Sequence, residues 1–209
     1  MEQITNIVKS SKDKYSIYLD TQFFCFLKPE TILKNNIKIG VFIEKSDLEN
    51  IKHEDEKLLA FDKALNYISS IKSEKQVRDY LYQKGFNIRS INYAISKLKE
   101  YNYLNDEIFA KMFIENYKNK KGIRWISFQL EAKGIKKDII EKHLNDINED
   151  EEILLELSKK YLKNKQKDRK TANKLCNHLL AKGFTLNSVN KIINKLFYNM
   201  NESENENWD

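Results

Sequence analysis

Apolar residues recur along this chain in a pattern that appears three times. In each copy a Leu stands four positions before a Gly, a Lys directly before that Gly, and a large apolar residue directly after it. The three copies are Leu81 to Phe86, Leu130 to Ile135, and Leu179 to Phe184. Gly85, Gly134 and Gly183 follow one another at a constant spacing of 49 residues. A fixed period of this length is typical of stacked supersecondary units, so the pattern predicts three tandem repeats.

Each Lys-Gly step has the chemistry of a helix C-terminus. A helix commonly ends where one residue adopts a left-handed backbone, which Gly does without the steric penalty of a Cβ atom. A Lys in the last turn is favourable beside the negative end of the helix dipole. Apolar residues six and ten positions after each Gly then form one face of a further helix. These are Ile91 and Ile95, Ile140 and Leu144, and Val189 and Ile193. With the apolar stretch upstream of each step, the pattern predicts three helices per repeat.

Residues 1–45 follow a different pattern, in which short runs of β-branched and aromatic residues alternate with polar ones. The runs around Ile4, Ile17 and Phe24 predict two or three antiparallel strands, with a turn over residues 10–13. Pro29 suits the first position of a single helical turn, and residues 38–43 suit a further short strand. This segment is too small for a large core of its own, so we expect it to pack on the first helices.

The complete pattern predicts a mainly α protein with three tandem three-helix repeats that form an elongated solenoid, preceded by a small N-terminal β-rich segment. The predicted boundaries are 1–45 for the β-rich segment, 46–103, 104–152 and 153–199 for the repeats, and 200–209 for an acidic, disordered tail. Helix caps are predicted as well. They are Ser46-Asp47 before a helical stretch reaching Ser70, a capping box of Ser73 with Gln76, Asn87, and Asn105.

Composition agrees with a helical protein and adds a basic surface. The 209 residues include only five Gly and one Pro, which favours helices with short connections. Lys and Arg number 37 against 31 Asp and Glu, and the excess is concentrated between Lys163 and Lys182. A basic surface favours binding to a polyanion or to an acidic protein. Lysine-rich helices that are simply solvated are equally consistent with charge alone.

The sequence offers no catalytic or metal-binding constellation. Cys25 and Cys176 form no Cys-x-x-Cys pair, and the three His residues occupy unrelated places in the repeat. Neither a phosphate-binding Gly-rich loop nor a hydrolase motif is present. Asp106 and Glu107 are explained by their place at the positive end of a helix dipole. We therefore expect no enzyme, no cofactor and no metal, and, without an apolar span or signal-like segment, a cytoplasmic protein with reduced thiols.

The middle repeat carries a resemblance to a known family. Tyr103 to Ala110, followed by Lys121 to Ile126 and Leu130 to Ile135, resembles the central signature of the RecX family, the regulators of RecA recombinase. The usual pattern is Gly-Tyr-Leu-Asp-Asp-Glu-Arg-Phe-Ala, then Lys-Gly and a basic pair before Ile. Here Asn102 replaces the Gly, Asn105 the first Asp, Ile108 the Arg, and Trp125 the second basic residue. The resemblance spans about residues 55 to 197.

The resemblance implies a monomeric regulator that binds the RecA filament on single-stranded DNA and modulates, in the direction of inhibition, the recombinase, ATPase and coprotease activities. DNA would be contacted directly or through RecA, in DNA repair, homologous recombination and the SOS response. The candidate binding residues are Lys118, Lys120, Lys121, Arg124, Lys165, Lys167, Arg169 and Lys170. The candidate structural positions of the repeat are Gly85, Gly134, Gly183, Tyr103, Leu104, Asp106 and Phe109.

Two other functions remain open at this stage. The same cations could track the phosphates of a nucleic acid without any protein partner. Alternatively, the chain could be a structural scaffold whose charges only keep it soluble. Aromatic residues such as Tyr117 and Tyr161 fall on helical stripes, so packing in the core is a simpler account of them than stacking on bases.

Overall fold

A computed structural model describes residues 1–11, 14–145 and 151–197 of the chain. It separates into two compact units, Met1–Leu104 and Asn105–Asp209. The described residues form ten helices and one four-stranded sheet. The predicted fold class, mainly helical with a small N-terminal sheet, is therefore confirmed.

The first unit begins with an antiparallel sheet in the strand order β3-β2-β1-β4. Its strands are β1 (Glu2–Ser11), β2 (Lys14–Leu19), β3 (Gln22–Leu27) and β4 (Phe42–Ile43), and the short helix α1 (Pro29–Lys34) follows β3. One face of the sheet covers a core of its own, which includes Ile4, Ile17 and Leu48. The predicted turn at residues 10–13 is not fully described, because Ser10 and Ser11 belong to β1 and residues 12 and 13 lie outside the described residues.

Three helices complete the first unit: α2 (Lys45–Tyr67), α3 (Glu74–Gln83) and α4 (Ile88–Glu100). They enclose a core that includes Leu81, Ile91 and Ile95. The capping box is confirmed, since the Gln76 amide donates to Ser73 Oγ at 3.3 Å and the Ser73 amide donates to Gln76 Oε1 at 3.0 Å.

The predicted cap of α2 is wrong. Ser46 and Asp47 lie inside the first turn, and the residue before the helix is Glu44, whose side chain accepts no capping hydrogen bond. The backbone carbonyl of Glu44 already accepts the amide of Leu48 at 3.2 Å, so the helix starts one turn earlier than a side-chain cap would place it. Asp47 instead stabilises the first turn through the helix dipole. The helix also ends at Tyr67, before the predicted Ser70.

Six helices form the described part of the second unit. They are α5 (Asp106–Tyr117), α6 (Ile123–Ala132), α7 (Lys137–Leu144), α8 (Glu151–Leu162), α9 (Arg169–Ala181) and α10 (Leu186–Phe197). The first three share one core and the last three another. Asn105 caps α5 as predicted, and its Oδ1 accepts the amides of Glu107 and Ile108 at 2.9 and 3.1 Å. The predicted tail at 200–209 lies outside the described residues.

The family-signature positions around α5 differ in burial. Leu104 and Phe109 are buried, whereas Tyr103 is 61% exposed, and Asp106 is the first residue of α5. Asn102 has a φ of +56°, so it adopts the left-handed backbone for which the family pattern has Gly.

All three Lys-Gly steps end a helix in the predicted way. Gly85, Gly134 and Gly183 have φ values of +85°, +81° and +87°. After each Gly, the next residue's amide donates to the carbonyl of the Leu five positions before it, at 3.2, 3.0 and 3.3 Å. This six-to-one hydrogen bond, together with a shorter one from the Gly amide, is the Schellman arrangement.

We expect Gly134→Val to destabilise the second unit by more than 1 kcal/mol, because a β-branched residue at a φ of +81° is strained. Lys133→Ala should cost less, about 0.3 to 1 kcal/mol, because it removes only a cation at the helix end and its contact with a ring. Thermal unfolding followed by circular dichroism compares the two variants. Equal losses in midpoint would contradict the structural role assigned to the Gly.

Candidate functional site

Two helix ends meet in the second unit and form its most unusual backbone contact. At the start of α6, the amides of Gly122 and Arg124 donate to the carbonyls of Lys182 and Gly183, both at 3.1 Å. Helix N-termini have unsatisfied N–H groups and C-termini have unsatisfied carbonyls, so each end supplies what the other lacks. The opposite ends of the two helix dipoles also attract. This contact, which we call the helix-end junction, fixes α6 of the second repeat on α9 of the third.

The junction has room only for glycine. A Cβ atom at Gly122 would lie 2.2 Å from the backbone of Gly183, and one at Gly183 would lie 2.4 Å from Trp125. The repeat pattern does not predict this, because Ser73 and Thr171 occupy the matching positions of the other repeats. A signal is nevertheless present in the sequence: a Gly stands where a helix usually begins with a capping side chain.

The first predicted basic group surrounds the start of α6. Lys118 forms an ion pair with Glu115 at 2.8 Å, and Lys120 is exposed in the connection between α5 and α6. The ammonium group of Lys121 lies 4.7 Å from the centre of the Trp125 ring. Arg124 lies on another side of α6, in a groove of about 450 Å³ between α6 and α7 that also contains carboxylates. The four cations therefore do not share one surface.

The second predicted basic group surrounds the start of α9. The ammonium group of Lys165 lies 3.3 Å from the centre of the Tyr161 ring. Asp168 caps α9, and its hydrogen bond from the Thr171 amide lowers the pKa of this carboxyl group. The other predicted cations, Lys167, Arg169 and Lys170, are exposed around this cap.

His178 connects the two basic groups. Its ring stacks on Tyr161 at a centroid distance of 4.6 Å. Burial lowers the pKa of the imidazole, and the charges of Lys182, Lys165 and Lys121 lower it further. Lys121 of the second repeat and Lys165 of the third are thus both within electrostatic reach of one ring. We call Tyr117, Lys121, Trp125, Tyr161, Lys165 and His178 together the aromatic-lysine surface.

The rings of this surface have a dual character. Trp125 packs against Tyr117 at 5.1 Å and against Phe113 at 6.2 Å, so the cluster belongs to the edge of the helical core. Each of these rings also retains solvent exposure, since none is fully buried. The sequence identified Lys121 and Lys165 but assigned the rings to the core, and it missed His178 and Lys182. His178 precedes Lys182 by one helical turn, which is the spacing that could have linked them.

The chemistry available here is binding rather than covalent catalysis. Lysines beside partly exposed rings can contact phosphates while the rings contact bases. In the first unit, burial raises the pKa of Cys25 to about 11, so its thiol stays protonated at neutral pH and is a poor nucleophile. No group of His, Cys, Asp and Glu side chains in the described part of the chain has the arrangement of a metal site.

We expect the pKa of His178 to lie below the ordinary value of about 6.5. Because the folded protein then binds fewer protons than the unfolded chain near that pH, stability should fall as the pH drops through and below about 6.5. NMR titration of the His178 ring measures the pKa directly. Lys121→Gln with Lys165→Gln should raise it, whereas Lys191→Gln on α10 should not. A pKa unmoved by the first pair would contradict the shared electrostatic surface.

Comparison with known proteins assigns the family. Sequence models described as "RecX, first three-helix domain" and "RecX, second three-helix domain" match residues 60–98 and 105–144. The regulatory protein RecX of Clostridium tetani is 32% identical over 92% of this chain and 92% of its own. That of Clostridium perfringens is 34% identical over 95% of this chain and 98% of its own. The chain belongs to the RecX family. A RecX crystal structure with 20% identity has the same fold, with a TM-score of 0.67 over 92% of this chain and 98% of that one.

Membership of the RecX family agrees with the absence of a predicted active site, because the relatives are named as regulatory proteins. The two matched domains correspond to helices of the first and second repeats, and the helix-end junction joins the second of them to the third repeat. Within the residues that the structure describes, no helix combines the length and the apolar character needed to cross a membrane.

Proposed function

We propose that this RecX-family protein binds the RecA filament on single-stranded DNA and inhibits the recombinase, ATPase and coprotease activities of RecA. The aromatic-lysine surface and the exposed cations beside it are the proposed contact. They include Lys118, Lys120, Arg124, Lys167, Arg169 and Lys170. RecA is proposed as the partner because the chain belongs to the RecX family, and the protein is proposed to act as a monomer.

The observation that carries this proposal is the convergence of Lys121 and Lys165 on His178. These lysines come from different repeats, and the helix-end junction fixes α6 on α9 near them. Cations held on a fixed backbone contribute to binding without a large loss of conformational freedom. The low pKa of His178 is a further sign of a positive potential at this surface, which favours a polyanionic partner.

A filament presents the same surface at every subunit, and this suits a protein with several weak binding patches. Contacts on one molecule reinforce each other, because the second forms at a high effective concentration after the first. A protein bound to neighbouring subunits at once would oppose the movements that accompany ATP hydrolysis and strand exchange. No covalent chemistry is required for this type of inhibition.

The experiment is a RecA ATPase assay on single-stranded DNA with and without this protein. Suppression at substoichiometric ratios, accompanied by binding to preformed filaments, is the expected result. Strand exchange should fall in parallel. Unchanged ATPase and strand exchange at a large excess of the protein would contradict the proposal.

A second function, direct binding of nucleic acid without RecA, is favoured by the partly exposed rings next to Lys121 and Lys165. Rings beside cations are typical of sites for single strands. In this case the affinity for bare DNA should fall steeply with salt concentration. RecA suppression that disappears when free DNA is in excess would favour this second function, because the protein would then act by occupying DNA.

A further inference from the structure

The N-terminal sheet has an aromatic face that the core does not use. In the strand register, Val8 pairs with Ser16 and Ser16 with Phe26, while Tyr18 pairs with Phe23. Directly paired residues share a face of a sheet, and successive residues alternate between faces. Ile17 and Cys25, which pair with each other, are buried on the opposite face. We call the side with Ser16, Tyr18, Phe23 and Phe26 the outer face.

Aromatic rings on the outer face are strongly exposed. Phe23 is 51% exposed and Phe26 is 49% exposed. Their ring centres lie 5.0 Å apart, and the Tyr18 ring lies edge-on to Phe23 at 5.9 Å. Isolated apolar residues are ordinary on a protein surface, but a contiguous group of rings typically marks an interaction site. The rings hold one another in place, so they offer a preformed platform.

Two lysines accompany these rings. The ammonium group of Lys14 lies 6.0 Å from the centre of Phe26, and that of Lys52 lies 5.8 Å from the centre of Phe24. Both lysines line a hollow of about 280 Å³ between β3 and α2, together with the three Phe rings of β3. Cations at this distance from a ring can contact a phosphate while a base lies on the ring.

The carboxylates in the hollow are engaged within the first unit. Asp55 is buried and accepts the Lys28 amide at 3.2 Å and the hydroxyl group of Thr31. Glu56 accepts the Asn87 amide at 3.3 Å. These carboxylates therefore have structural roles in holding α1 and α4 near α2. The charge offered next to the exposed rings is that of the two lysines.

We propose that the outer face binds single-stranded nucleic acid, with bases stacked on Phe23 and Phe26 and phosphates near Lys14 and Lys52. Exposed rings on an open four-stranded sheet suit unpaired bases, because every base has a π face and stacking tolerates any sequence. Ser10 and Ser16, whose hydroxyl groups lie 2.6 Å apart on this face, supply hydrogen-bonding groups beside the rings. This contact lies in a different unit from the proposed filament surface and requires no RecA.

A peptide strand added to the edge of the sheet fits the same region less well. Helix α2 lies beside β3 across the hollow, and the β2–β3 ladder has an irregularity between Ile17 and Tyr18. Covering by a helix and local bulges are two ways in which edge strands avoid pairing with other chains. A peptide or a second copy of the chain would also leave the two lysines without a complementary charge.

Fluorescence anisotropy with a labelled oligothymidylate tests the proposal on the full chain without RecA. The background is the Lys120→Glu, Lys121→Glu, Arg124→Glu variant, which weakens the contribution of the second unit. Adding Phe23→Ala with Phe26→Ala should weaken binding by about tenfold for each ring, given typical stacking contributions of roughly 1 to 3 kcal/mol. Phe42→Ala removes a ring that is 62% exposed at the opposite edge of the sheet, and it should leave binding unchanged.

A second pair of variants keeps the test decisive if the double Ala variant loses its circular dichroism signal. Phe23→Trp with Phe26→Trp preserves stacking and should retain binding, whereas Lys14→Gln with Lys52→Gln should reduce the salt dependence of binding. An oligomer of the same length without bases should bind more weakly than oligothymidylate. Equal affinity for the two oligomers, or an effect of Phe42→Ala as large as that of the Phe23 and Phe26 pair, would overturn the proposal.

Photocrosslinking with 5-iodouracil DNA and mass spectrometry locates the contact in the unmodified chain. Crosslinks in residues 22–27 are expected, and crosslinks confined to the second unit would overturn the proposal. A concentration-dependent dimer that the Phe variants abolish, without any loss of DNA binding, would assign the face to a second copy instead. RecA ATPase suppression is measured separately, so failure of the sheet contact and failure of the filament contact give different results.

Discussion

Replacing Lys120, Lys121 and Arg124 together with Glu is expected to abolish the suppression of RecA while the protein remains folded. The substitutions change the local charge by about six units, and they reverse the potential that a polyanionic filament meets on approach. Lys120 and Arg124 are exposed, so little packing is lost. The backbone bond from Arg124 to Gly183 in the helix-end junction is preserved, because it involves no side chain. Acids in the first turn of α6 are also compatible with its dipole.

The measurement is RecA ATPase suppression as a function of protein concentration, with circular dichroism as a check on folding. A matched control is the triple variant Lys136→Glu, Lys137→Glu, Lys191→Glu, which makes the same charge change in the same unit at exposed positions of α7 and α10. The control should retain most of its suppression. A folded first variant with full suppression, or equal losses in both, would place the binding surface elsewhere.

The variant Gly122→Ala is expected to destabilise the second unit by about 3 kcal/mol, the upper end of the usual range for overpacking. The added Cβ atom would lie 2.2 Å from three backbone atoms of the Gly183 turn, and backbone cannot rotate away as a side chain can. Separating the two helix ends would relieve the clash but would break both hydrogen bonds of the helix-end junction. Either outcome loosens α6 from α9, so RecA suppression should fall as well.

Unfolding of the second unit can be followed through Trp125, because Trp208→Phe leaves it as the single Trp. In that background Gly122→Ala should lower the denaturant midpoint, and Gly85→Ala should not. Gly85 lies in the first unit, and a Cβ atom there would meet open space, although its φ of +85° adds some strain. An unchanged Trp125 midpoint in Gly122→Ala would contradict the tight contact between the two helix ends.

Local chemistry accounts for what the sequence alone determined. The Schellman ends at Gly85, Gly134 and Gly183, and the caps at Ser73 and Asn105, were predictable because each depends on a few neighbouring residues. The buried faces of the third helices were predictable because helical periodicity decides which side is apolar. The resemblance to the RecX family gave the functional prediction, which no periodicity contains.

The start of α2 shows where local chemistry was insufficient. Ser46 and Asp47 are good capping residues, yet the helix begins before them at Lys45, since the Glu44 carbonyl accepts the first helical hydrogen bonds. Side-chain preference at a cap contributes only about 1 kcal/mol, so the packing of Leu48 into the core of the sheet can outweigh it.

Tertiary structure alone decided which distant residues meet. The helix-end junction joins Gly122 to Gly183, and His178 lies near lysines of two repeats, although the sequence treats every repeat as equivalent. The outer face of the sheet likewise depends on strand register, which places Phe23 beside Tyr18. Repeats and caps are set by interactions within a few turns of chain, whereas these sites come from contacts between segments, whose geometry depends on the packing of whole helices and strands.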